Sequence, residues 1–290
     1  MSKEYRKHPF RLLARMVNLL FSKANRTNDF VQKSYDRISA GYDDVWTEHM
    51  QDLSQQLIDR MQIKQGDKAL DLTCGTGYVT KLIADRSGGE VIGVDISEGM
   101  LKQAKRNCGE NCELVNSDIL EYLKYVPDNS FDIVTCCWGL GYTKPLAVLK
   151  KIKRVLKPDG KVGIIDNSIY SLIEVAYCTL LVFLEQPEKL VTLMRPKFLP
   201  RSFYLGLWWR LIGIKPIELW SGKRSYTVDN GKEAVQKLRA TGAAAGFEYS
   251  VDEKDQQQVF DRLAEIIEKK LVKDGKIAIT HRYLGGVAVK

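Results

Sequence analysis

The chain has 290 residues, of which 44% are hydrophobic and 28% are charged, and its formal net charge is +8. This composition is typical of a soluble globular enzyme with a sizeable core, and the length allows one large domain with an insertion or two small domains. A membrane-spanning helix needs ~20 apolar residues, whereas the longest candidate, Leu172 to Leu184, has 13 residues and contains Glu174.

The six cysteines show no spacing typical of a metal site. Cys136 and Cys137 are adjacent, and Cys108 and Cys112 are four residues apart without histidine partners. This pattern favours reduced thiols over disulfide bonds or zinc. We therefore expect a cytoplasmic protein without a bound metal.

The first predicted element is an amphipathic helix between Pro9 and Ala24. Its polar positions follow helical spacing and form one stripe, namely Arg11, Arg15, Asn18 and Ser22. The other side chains are apolar and the ends are basic, so residues 6–26 are suited to peripheral contact with the inner face of a membrane. The alternative is a lid helix that packs on the protein, and the sequence leaves both open.

A tyrosine–aspartate pair then occurs twice, seven residues apart, as Tyr35-Asp36 and Tyr42-Asp43. This spacing predicts that both tyrosines lie on one side of a helix. Their rings either close over a ligand or only pack against neighbouring elements. His49 follows and is a candidate general base, although a lone histidine is more often a packing or surface residue.

The run from Ala69 to Gly77 predicts a buried strand with Asp71 near its end, followed by a turn that contains Gly75. A second strand ends in Asp95, 24 residues after the first acid, which is about the length of one strand–helix–strand unit. Glycines let the backbone approach a ligand closely, and the second carboxylate can accept both hydroxyls of a ribose. A third glycine and a Gly-Lys-Ser/Thr sequence are both absent, which excludes a dinucleotide fingerprint and a phosphate loop. We therefore predict a site for an adenosine-containing cofactor.

Three further runs are typical of strands that end at the same site. They are Cys112 to Ile119, Phe131 to Trp138 and Val155 to Asp166. Together with the two preceding strands, they resemble in order and spacing the motifs of class I S-adenosylmethionine-dependent methyltransferases. The resemblance spans about Gln65 to Asn167. The segment before it, Phe30 to Asp43 with its two Tyr-Asp pairs, resembles the corresponding segment of the ubiquinone/menaquinone-biosynthesis methyltransferases, the group closest in pattern, in which the tyrosines close over the methyl donor and acceptor.

This resemblance implies an α/β fold with a Rossmann-like, seven-stranded, mostly parallel sheet, helices on both faces, an N-terminal helical lid and a helical insertion after strand 5. It implies S-adenosylmethionine as the cofactor, with the glycine turn facing the methionine moiety, Asp95 holding the ribose and Asp118 meeting the adenine. The cofactor-binding residues implied in this way are Tyr35, Tyr42, Asp71, Thr73, Gly75, Thr76, Gly77, Asp95, Ile96, Met100, Ser117, Asp118, Ile119, Cys136 and Trp138.

In the same family the position after strand 5 commonly holds a substrate-recognition insertion. Here residues 168–228 are rich in aromatic side chains, and residues 194–226 contain seven basic residues against the single acid Glu218. This combination suits contact with anionic lipid headgroups, although the aromatic side chains can instead form a small core of their own. The high apolar share and the absence of a recognised nucleic-acid-binding module disfavour a nucleic-acid partner.

The remaining residues are predicted to complete the sheet. Helices are predicted from Asn230 to Ala245 and from Gln256 to Lys273, and by the family resemblance Gly246 precedes the sixth strand. Lys276–Thr280 and Gly286–Lys290 are predicted to form an antiparallel edge hairpin. The predicted domains are a lid at 1–60, a cofactor-binding core at 61–167, a substrate cap at 168–228 and the C-terminal completion of the core at 229–290.

We expect direct in-line transfer of a methyl group, because the sulfonium carbon is electrophilic and positioning supplies most of the rate. A carbon or hydroxyl acceptor also needs a base, for which His49, Tyr142 and Asp166 are the candidates. The expected acceptor is hydrophobic or amphipathic, either a quinone-like ring or a lipid headgroup. The alternatives are a small-metabolite N- or O-methyltransferase and a cofactor-bound interaction protein without activity. Cys136 and Cys137 are either packing residues or thiol ligands for a soft acceptor such as arsenite.

Overall fold

The computed structural model of the chain describes residues 6–22, 25–44, 48–109, 112–242 and 244–290. These residues form two compact units. The core unit comprises residues 35–170, 196–222 and 282–290, and the second unit comprises residues 1–34, 171–195 and 223–281, each within the described ranges.

Three helices precede the first strand, and strands and helices then alternate up to the fifth strand. The helices are α1 (Pro9–Ser22), α2 (Thr27–Ile38), α3 (Glu48–Met61), α4 (Tyr78–Ser87), α5 (Glu98–Cys108), α6 (Ile119–Tyr125), α7 (Pro145–Val155), α8 (Ile173–Glu185), α9 (Ser202–Leu211), α10 (Gly231–Ala240) and α11 (Glu253–Leu271). The strands are β1 (Ala69–Leu72), β2 (Val91–Asp95), β3 (Glu113–Asn116), β4 (Phe131–Cys137), β5 (Leu156–Asn167), β6 (Lys215–Val228), β7 (Val272–Lys273) and β8 (Lys276–Val289).

The strands form one sheet in the order β3-β2-β1-β4-β5-β8-β6, with the short β7 paired to β8. The pairs among β1 to β5 are parallel, and β8 is antiparallel to β5. The predicted fold class, an α/β, Rossmann-like and mostly parallel sheet, is therefore confirmed. The strand order reverses at β1, and in sheets of this kind ligands bind in the crevice at that point, beyond the carboxyl ends of the strands.

Short polar residues fix the starts of the helices that follow these strands. Ser97 caps α5 by accepting a hydrogen bond from the Met100 N–H at 3.1 Å. Asp118 caps α6 by accepting hydrogen bonds from two backbone N–H groups of its first turn at 2.9 and 3.1 Å. Each cap satisfies backbone donors that the helix leaves unpaired. The caps therefore fix where the helices begin at the carboxyl edge of the sheet.

The predicted C-terminal hairpin is wrong, because β8 is a single strand of 14 residues. Gly285 and Gly286 do not have the positive φ that many turns require. A Cβ atom on Gly285 would instead lie 2.5 Å from the Trp220 ring, and one on Gly286 would lie 2.8 Å from the Trp209 ring. The glycine pair makes room for two indoles beside a continuous strand.

The segment after β5 contains the expected helices, α8 and α9, but it ends in strand β6 next to β8. The predicted position of the sixth strand after Gly246 is wrong. Gly246 has a φ of +82° and begins a short 3₁₀ turn, Phe247–Ser250, which leads into α11. The sixth strand therefore precedes α10 in this chain.

The second unit has an apolar core of its own. It includes Leu12 and Leu19 of α1 together with side chains of α8, α10 and α11. The His8 N–H donates to the Leu184 carbonyl at 2.7 Å, which connects the start of α1 with the end of α8. None of the described helices combines the length and apolar composition that crossing a bilayer requires.

Candidate active site

The turn between β1 and α4 has a backbone that most residues rarely adopt. Thr73, Gly75 and Gly77 have φ values of +62°, +55° and +85°. A Cβ atom on Gly77 would lie 2.8 Å from the Cys108 sulfur and 3.0 Å from the Ala104 Cα, so only glycine fits there. The equivalent position on Gly75 faces open space. The turn is therefore closed on the side of α5 and leaves its backbone accessible at Gly75.

Asp71 lies beneath this turn and is fully buried. Its carboxylate accepts hydrogen bonds from the hydroxyls of Thr80 and Thr135, both at 2.7 Å. Burial raises the pKa of Asp71 to about 6, although the two hydroxyl donors oppose the shift. The carboxylate thus joins β1 to α4 and β4 and supports the turn from below. A direct contact with the cofactor stays a prediction.

Asp95 lies at the end of β2, where it contacts the same turn. Its carboxylate accepts hydrogen bonds from the N–H groups of Gly75 and Ser97, both at 2.9 Å. Burial raises its pKa above the usual range, and the backbone donors act in the opposite direction. The Asn116 amide donates to the carbonyls of Asp95 and Ile96 at 3.1 and 3.0 Å, which fixes the backbone around the carboxylate.

Two further carboxylates, Asp36 and Asp43, connect the segment before the sheet with this site. Asp36 accepts hydrogen bonds from the Ser97 hydroxyl and, at 3.2 Å, from a backbone N–H in the first turn of α5. Asp43 accepts hydrogen bonds from the Thr76 hydroxyl and, at 3.0 Å, from the Asn107 amide. Neither acid was predicted as a site residue, although the repeated Tyr-Asp pair contains both.

An aromatic cluster, consisting of Tyr35, Tyr42, Tyr142 and Phe198, lies in the core unit. The Tyr35 ring is 5.8 Å from that of Tyr42 and 6.5 Å from that of Tyr142, in both cases edge to face. Phe198 packs against Tyr142 with ring centroids 5.1 Å apart. The predicted tyrosines do meet, although α2 ends before Tyr42 and a short 3₁₀ turn intervenes.

Asp166 lies at the end of β5 near this aromatic cluster. Its carboxylate accepts hydrogen bonds from the N–H groups of Gly141 and Asn167 at 2.7 and 2.8 Å. Burial raises the pKa of Asp166 to about 7. Burial also raises the pKa values of Tyr35 and Tyr142, and the charge of Asp166 adds to both shifts. The structure thus brings together two of the predicted bases, Tyr142 and Asp166. His49 lies in the first turn of α3, and its role as a base stays a prediction.

The residues predicted to bind the adenosine follow β2 and β3. The Ser117 N–H donates to the Asp95 carbonyl at 3.0 Å, which joins the two strand ends. Asp118 caps α6, while Met100 and Ile119 are buried packing residues. Contacts of these residues with adenine or ribose stay predictions, and their observed bonds show how the edge of the site is held in place.

Cys136 and Trp138 lie at the end of β4. Cys136 is fully buried, its sulfur is 3.6 Å from the Thr73 hydroxyl, and burial raises its pKa. The same hydroxyl donates to the Cys137 carbonyl at 3.1 Å. The Trp138 Nε1–H donates to the Ser54 hydroxyl at 2.9 Å. Both residues thus support the turn and the neighbouring helix.

The chemistry of this cradle fits the predicted cofactor. The backbone is open at Gly75, and Asp95 presents a carboxylate suited to a pair of hydroxyls at the reversal point of the sheet. Fold and cradle, together with the family match over residues 69–160, identify this part of the chain as a class I S-adenosylmethionine-dependent methyltransferase domain with S-adenosylmethionine as its cofactor. Residues 69–160 match the family model described as a methyltransferase domain.

Comparison with known proteins agrees with this class. The chain is 37% identical to the demethylmenaquinone methyltransferase of Staphylococcus aureus over 155 residues, which is 50% of this chain and 61% of that enzyme. The chain spans between 47% and 61% of the length of the first curated relatives it matches.

Two solved structures share the fold. A candidate methyltransferase of Bacillus halodurans superposes with a TM-score of 0.57 at 19% identity, covering 82% of this chain and 98% of that one. A phosphoethanolamine N-methyltransferase of Haemonchus contortus, solved with S-adenosylhomocysteine, gives a TM-score of 0.50 at 20% identity, covering 82% of this chain and 53% of that one.

Proposed function

We propose that this chain transfers the methyl group of S-adenosylmethionine to a quinone-like aromatic ring that carries a hydrophobic tail. The observation that carries the proposal is the position of the buried Asp166 carboxyl beside the aromatic cluster, where it accepts a hydrogen bond from the Gly141 N–H. Burial raises the pKa of this carboxyl to about 7. The activity named for the Staphylococcus aureus relative, methylation of a demethylmenaquinone, supports this class of acceptor.

The residues of the chain have distinct roles in this proposal. The cofactor, when bound, supplies an electrophilic methyl carbon, so a covalent enzyme intermediate is not required. A ring carbon or hydroxyl that gains a methyl group must lose a proton, which Asp166 can accept near its pKa of about 7. The N–H groups of Gly141 and Asn167 hold that carboxylate in place, and the aromatic cluster offers faces and edges that suit a flat acceptor.

The test is a transfer assay with methyl-labelled S-adenosylmethionine and a total lipid extract, separated into organic and aqueous phases. We expect label in the organic phase, where mass spectrometry of the product identifies the methylated ring. Label confined to the aqueous phase would contradict the proposal and indicate a small-metabolite acceptor. Cofactor binding without label in either phase would indicate a non-catalytic interaction protein.

The proposed base has a matched control. Asp166→Asn should lower turnover by about 100-fold or more, with little change in the dissociation constant of the cofactor. Asp159→Asn alters an exposed acid in the same strand, at a positive φ that asparagine tolerates, and should leave turnover unchanged. Equal turnover of Asp166→Asn and the control would remove Asp166 from the mechanism.

We also propose peripheral membrane contact through residues 6–26 and 194–226, from a cytoplasmic location. Apolar side chains are exposed in both stretches. In α1 they are Phe10, Leu13, Val17, Leu20 and Phe21, and in the second stretch they are Phe203, Tyr204, Leu207, Leu211 and Ile217. Exposed apolar side chains next to basic ones suit an anionic membrane surface. Lys23 and Ala24 belong to the first stretch but lie outside the described residues.

A further inference from the structure

Residues 35–43, which we call the lid segment, lie at the carboxyl edge of the sheet. Asp43 contacts the turn after β1, and Asp36 contacts the start of α5, which follows β2. The Tyr35 ring packs against Tyr142, which follows β4. These three strands are neighbours in the order β2-β1-β4, where the strand order reverses. The lid segment therefore lies across the crevice where the cofactor is expected to bind.

Asp36 holds the first part of the lid segment on the start of α5. One of its carboxylate oxygens accepts hydrogen bonds from the Ser97 hydroxyl and, at 3.2 Å, from the Gly99 N–H. The backbones are also close, because a Cβ atom on Gly99 would lie 3.1 Å from the Asp36 Cα and 2.7 Å from the Ser39 hydroxyl oxygen. A glycine at position 99 therefore leaves room for the lid segment to close on α5.

Asp43 holds the last part of the lid segment on the cofactor turn. The Thr76 hydroxyl donates to one carboxylate oxygen, and the Asn107 amide donates to the other at 3.0 Å. The same amide nitrogen donates to the Thr76 carbonyl at 2.8 Å. Asn107 lies one residue before the end of α5. The two aspartates therefore bind opposite ends of the same helix, and Asp43 also binds the turn.

We propose that Asp36 and Asp43 are latches that hold the lid segment closed and thereby control the entry and release of S-adenosylmethionine. Asp36 is exposed and Asp43 is partly exposed, so water can replace their partners and each latch can open reversibly. A cofactor that binds beneath the lid segment enters and leaves only while the latches are open. Both acids are positioning residues that act through the lid segment. This inference rests on the cofactor-binding part of the proposed function and is independent of the acceptor.

A latch has a kinetic signature that differs from that of a residue in contact with the cofactor. The association and dissociation rates both scale with the fraction of molecules in which the lid segment is open. Loss of the latches raises this fraction in the free and in the bound protein, so both rates rise and the dissociation constant changes little. Loss of a direct cofactor contact acts mainly on the dissociation rate and weakens binding.

The experiment measures both rates for the full chain with labelled S-adenosylmethionine. Rapid filtration gives the association rate, and a chase with unlabelled cofactor gives the dissociation rate. The double variant Asp36→Ala/Asp43→Ala should raise both rate constants about tenfold, with a dissociation constant changed by less than about threefold. Unchanged rates would overturn the proposal. Faster dissociation without faster association would also overturn it, because the acids would then support cofactor binding directly.

A second variant opens the lid segment without removing a carboxylate. In Gly99→Ala the added Cβ would meet the Asp36 backbone and the Ser39 side chain only in the closed position, while alanine favours the helix. This variant should also raise both rates. Asp44→Ala is the matched control, since it alters the exposed acid next to Asp43 and should leave both rates unchanged. Wild-type rates in Gly99→Ala would show that closure does not limit exchange and would overturn the proposal.

A measurement without cofactor separates the latches from the rest of the proposed function. Amide hydrogen exchange within residues 35–43 should be faster in the double variant than in Asp44→Ala, because the open state is more populated. Equal hydrogen exchange would overturn the proposal. Cofactor rates that respond as expected, with no methylated acceptor found, would contradict the proposed function and support the latches. Wild-type protein that binds no S-adenosylmethionine would overturn both.

Discussion

Asp95 has hydrogen-bond partners within the protein and a predicted partner in the ribose of the cofactor. Its two oxygens already accept backbone hydrogen bonds from Gly75 and Ser97. A carboxylate oxygen has two lone pairs, so capacity remains for the hydroxyls of a ribose. The same carboxylate can therefore shape the turn and bind the cofactor, which explains why an acid is placed at the end of β2.

Substitution of Asp95 tests this assignment. Asp95→Ala should weaken S-adenosylmethionine binding by about 1–3 kcal/mol, or about 5- to 150-fold, because ribose hydroxyls lose their acceptor. Calorimetry measures the affinity, and thermal unfolding of the same variant reports how far the turn itself is loosened. Asp159→Asn serves as the surface control. Unchanged affinity in Asp95→Ala would contradict the assigned role.

Asp166 should make the stability of the protein depend on pH. Its pKa of about 7 in the folded state exceeds that of an unfolded aspartate, near 4. Between these values the folded state binds more protons than the unfolded state, so this group lowers the free energy of unfolding as pH rises. The loss approaches about 1.4 kcal/mol per pH unit within this window.

The measurement is urea unfolding of the wild-type protein and Asp166→Asn between pH 4 and pH 8. The variant should gain stability relative to the wild type as pH rises, because asparagine does not titrate. The two proteins are compared by the slope of the free energy of unfolding against pH. This comparison removes the pH-independent loss of stability that comes from replacing one acceptor oxygen with an amide nitrogen. Parallel curves for the two proteins would show that Asp166 titrates in the folded state as it does in the unfolded chain.

At the scale of elements, the sequence was sufficient where side chains and local spacing determine the structure. The turn at Gly75 and the strand that ends in Asp95 were predicted because buried strands, a glycine turn and an acid follow one another within one strand–helix–strand unit. The N-terminal helix was predicted from its period, and α1 occupies almost the same residues.

The sequence was insufficient where contacts distant in the chain decide the outcome. Gly285 and Gly286 have the composition of a turn, yet they face the indoles of Trp220 and Trp209 from elsewhere in the chain. Asp36 was missed for a related reason, since its partner Ser97 is 61 residues away. The local sequence period does not indicate such contacts, so the Asp36–Ser97 hydrogen bond and the continuous β8 are seen only in the three-dimensional structure.

The strand glycines can be tested directly. Gly286→Ala should lower the free energy of unfolding by about 1–3 kcal/mol, because its Cβ would meet the Trp209 ring and overpack the site. Gly41→Ala is the control, since Gly41 lies in the same unit with nothing within 4 Å of its Cβ position and without a positive φ. Equal stability of the two variants in urea unfolding would show that Trp209 moves away at no cost.

At the scale of the whole molecule, the net charge of +8 and the exposed apolar side chains both favour binding to an anionic membrane surface. Basic residues are attracted to anionic headgroups, and this attraction weakens as salt screens it. Apolar side chains that enter the interface add a contribution that salt does not screen. A membrane-bound state of this chain should therefore be weakened, but not abolished, by salt.

The structure also determines which variants can test membrane contact. Deletion of residues 1–26 would remove Leu12 and Leu19, which are 4% and 1% exposed and belong to the core of the second unit. Loss of binding after such a deletion could reflect unfolding. Phe10 and Phe21 are 86% and 88% exposed, so their replacement alters the outer face of α1 and preserves the core.

We expect the double variant Phe10→Ser/Phe21→Ser to bind vesicles containing phosphatidylglycerol about tenfold more weakly than the wild type, since two large apolar side chains no longer enter the interface. Sedimentation with the vesicles measures the bound fraction, and raising the salt concentration should weaken both proteins. Tyr125→Ser removes an equally accessible aromatic side chain from α6, 80% exposed, and should bind like the wild type. If the double variant also bound like the wild type, α1 would not be the membrane contact, and its exposed face would need a different partner.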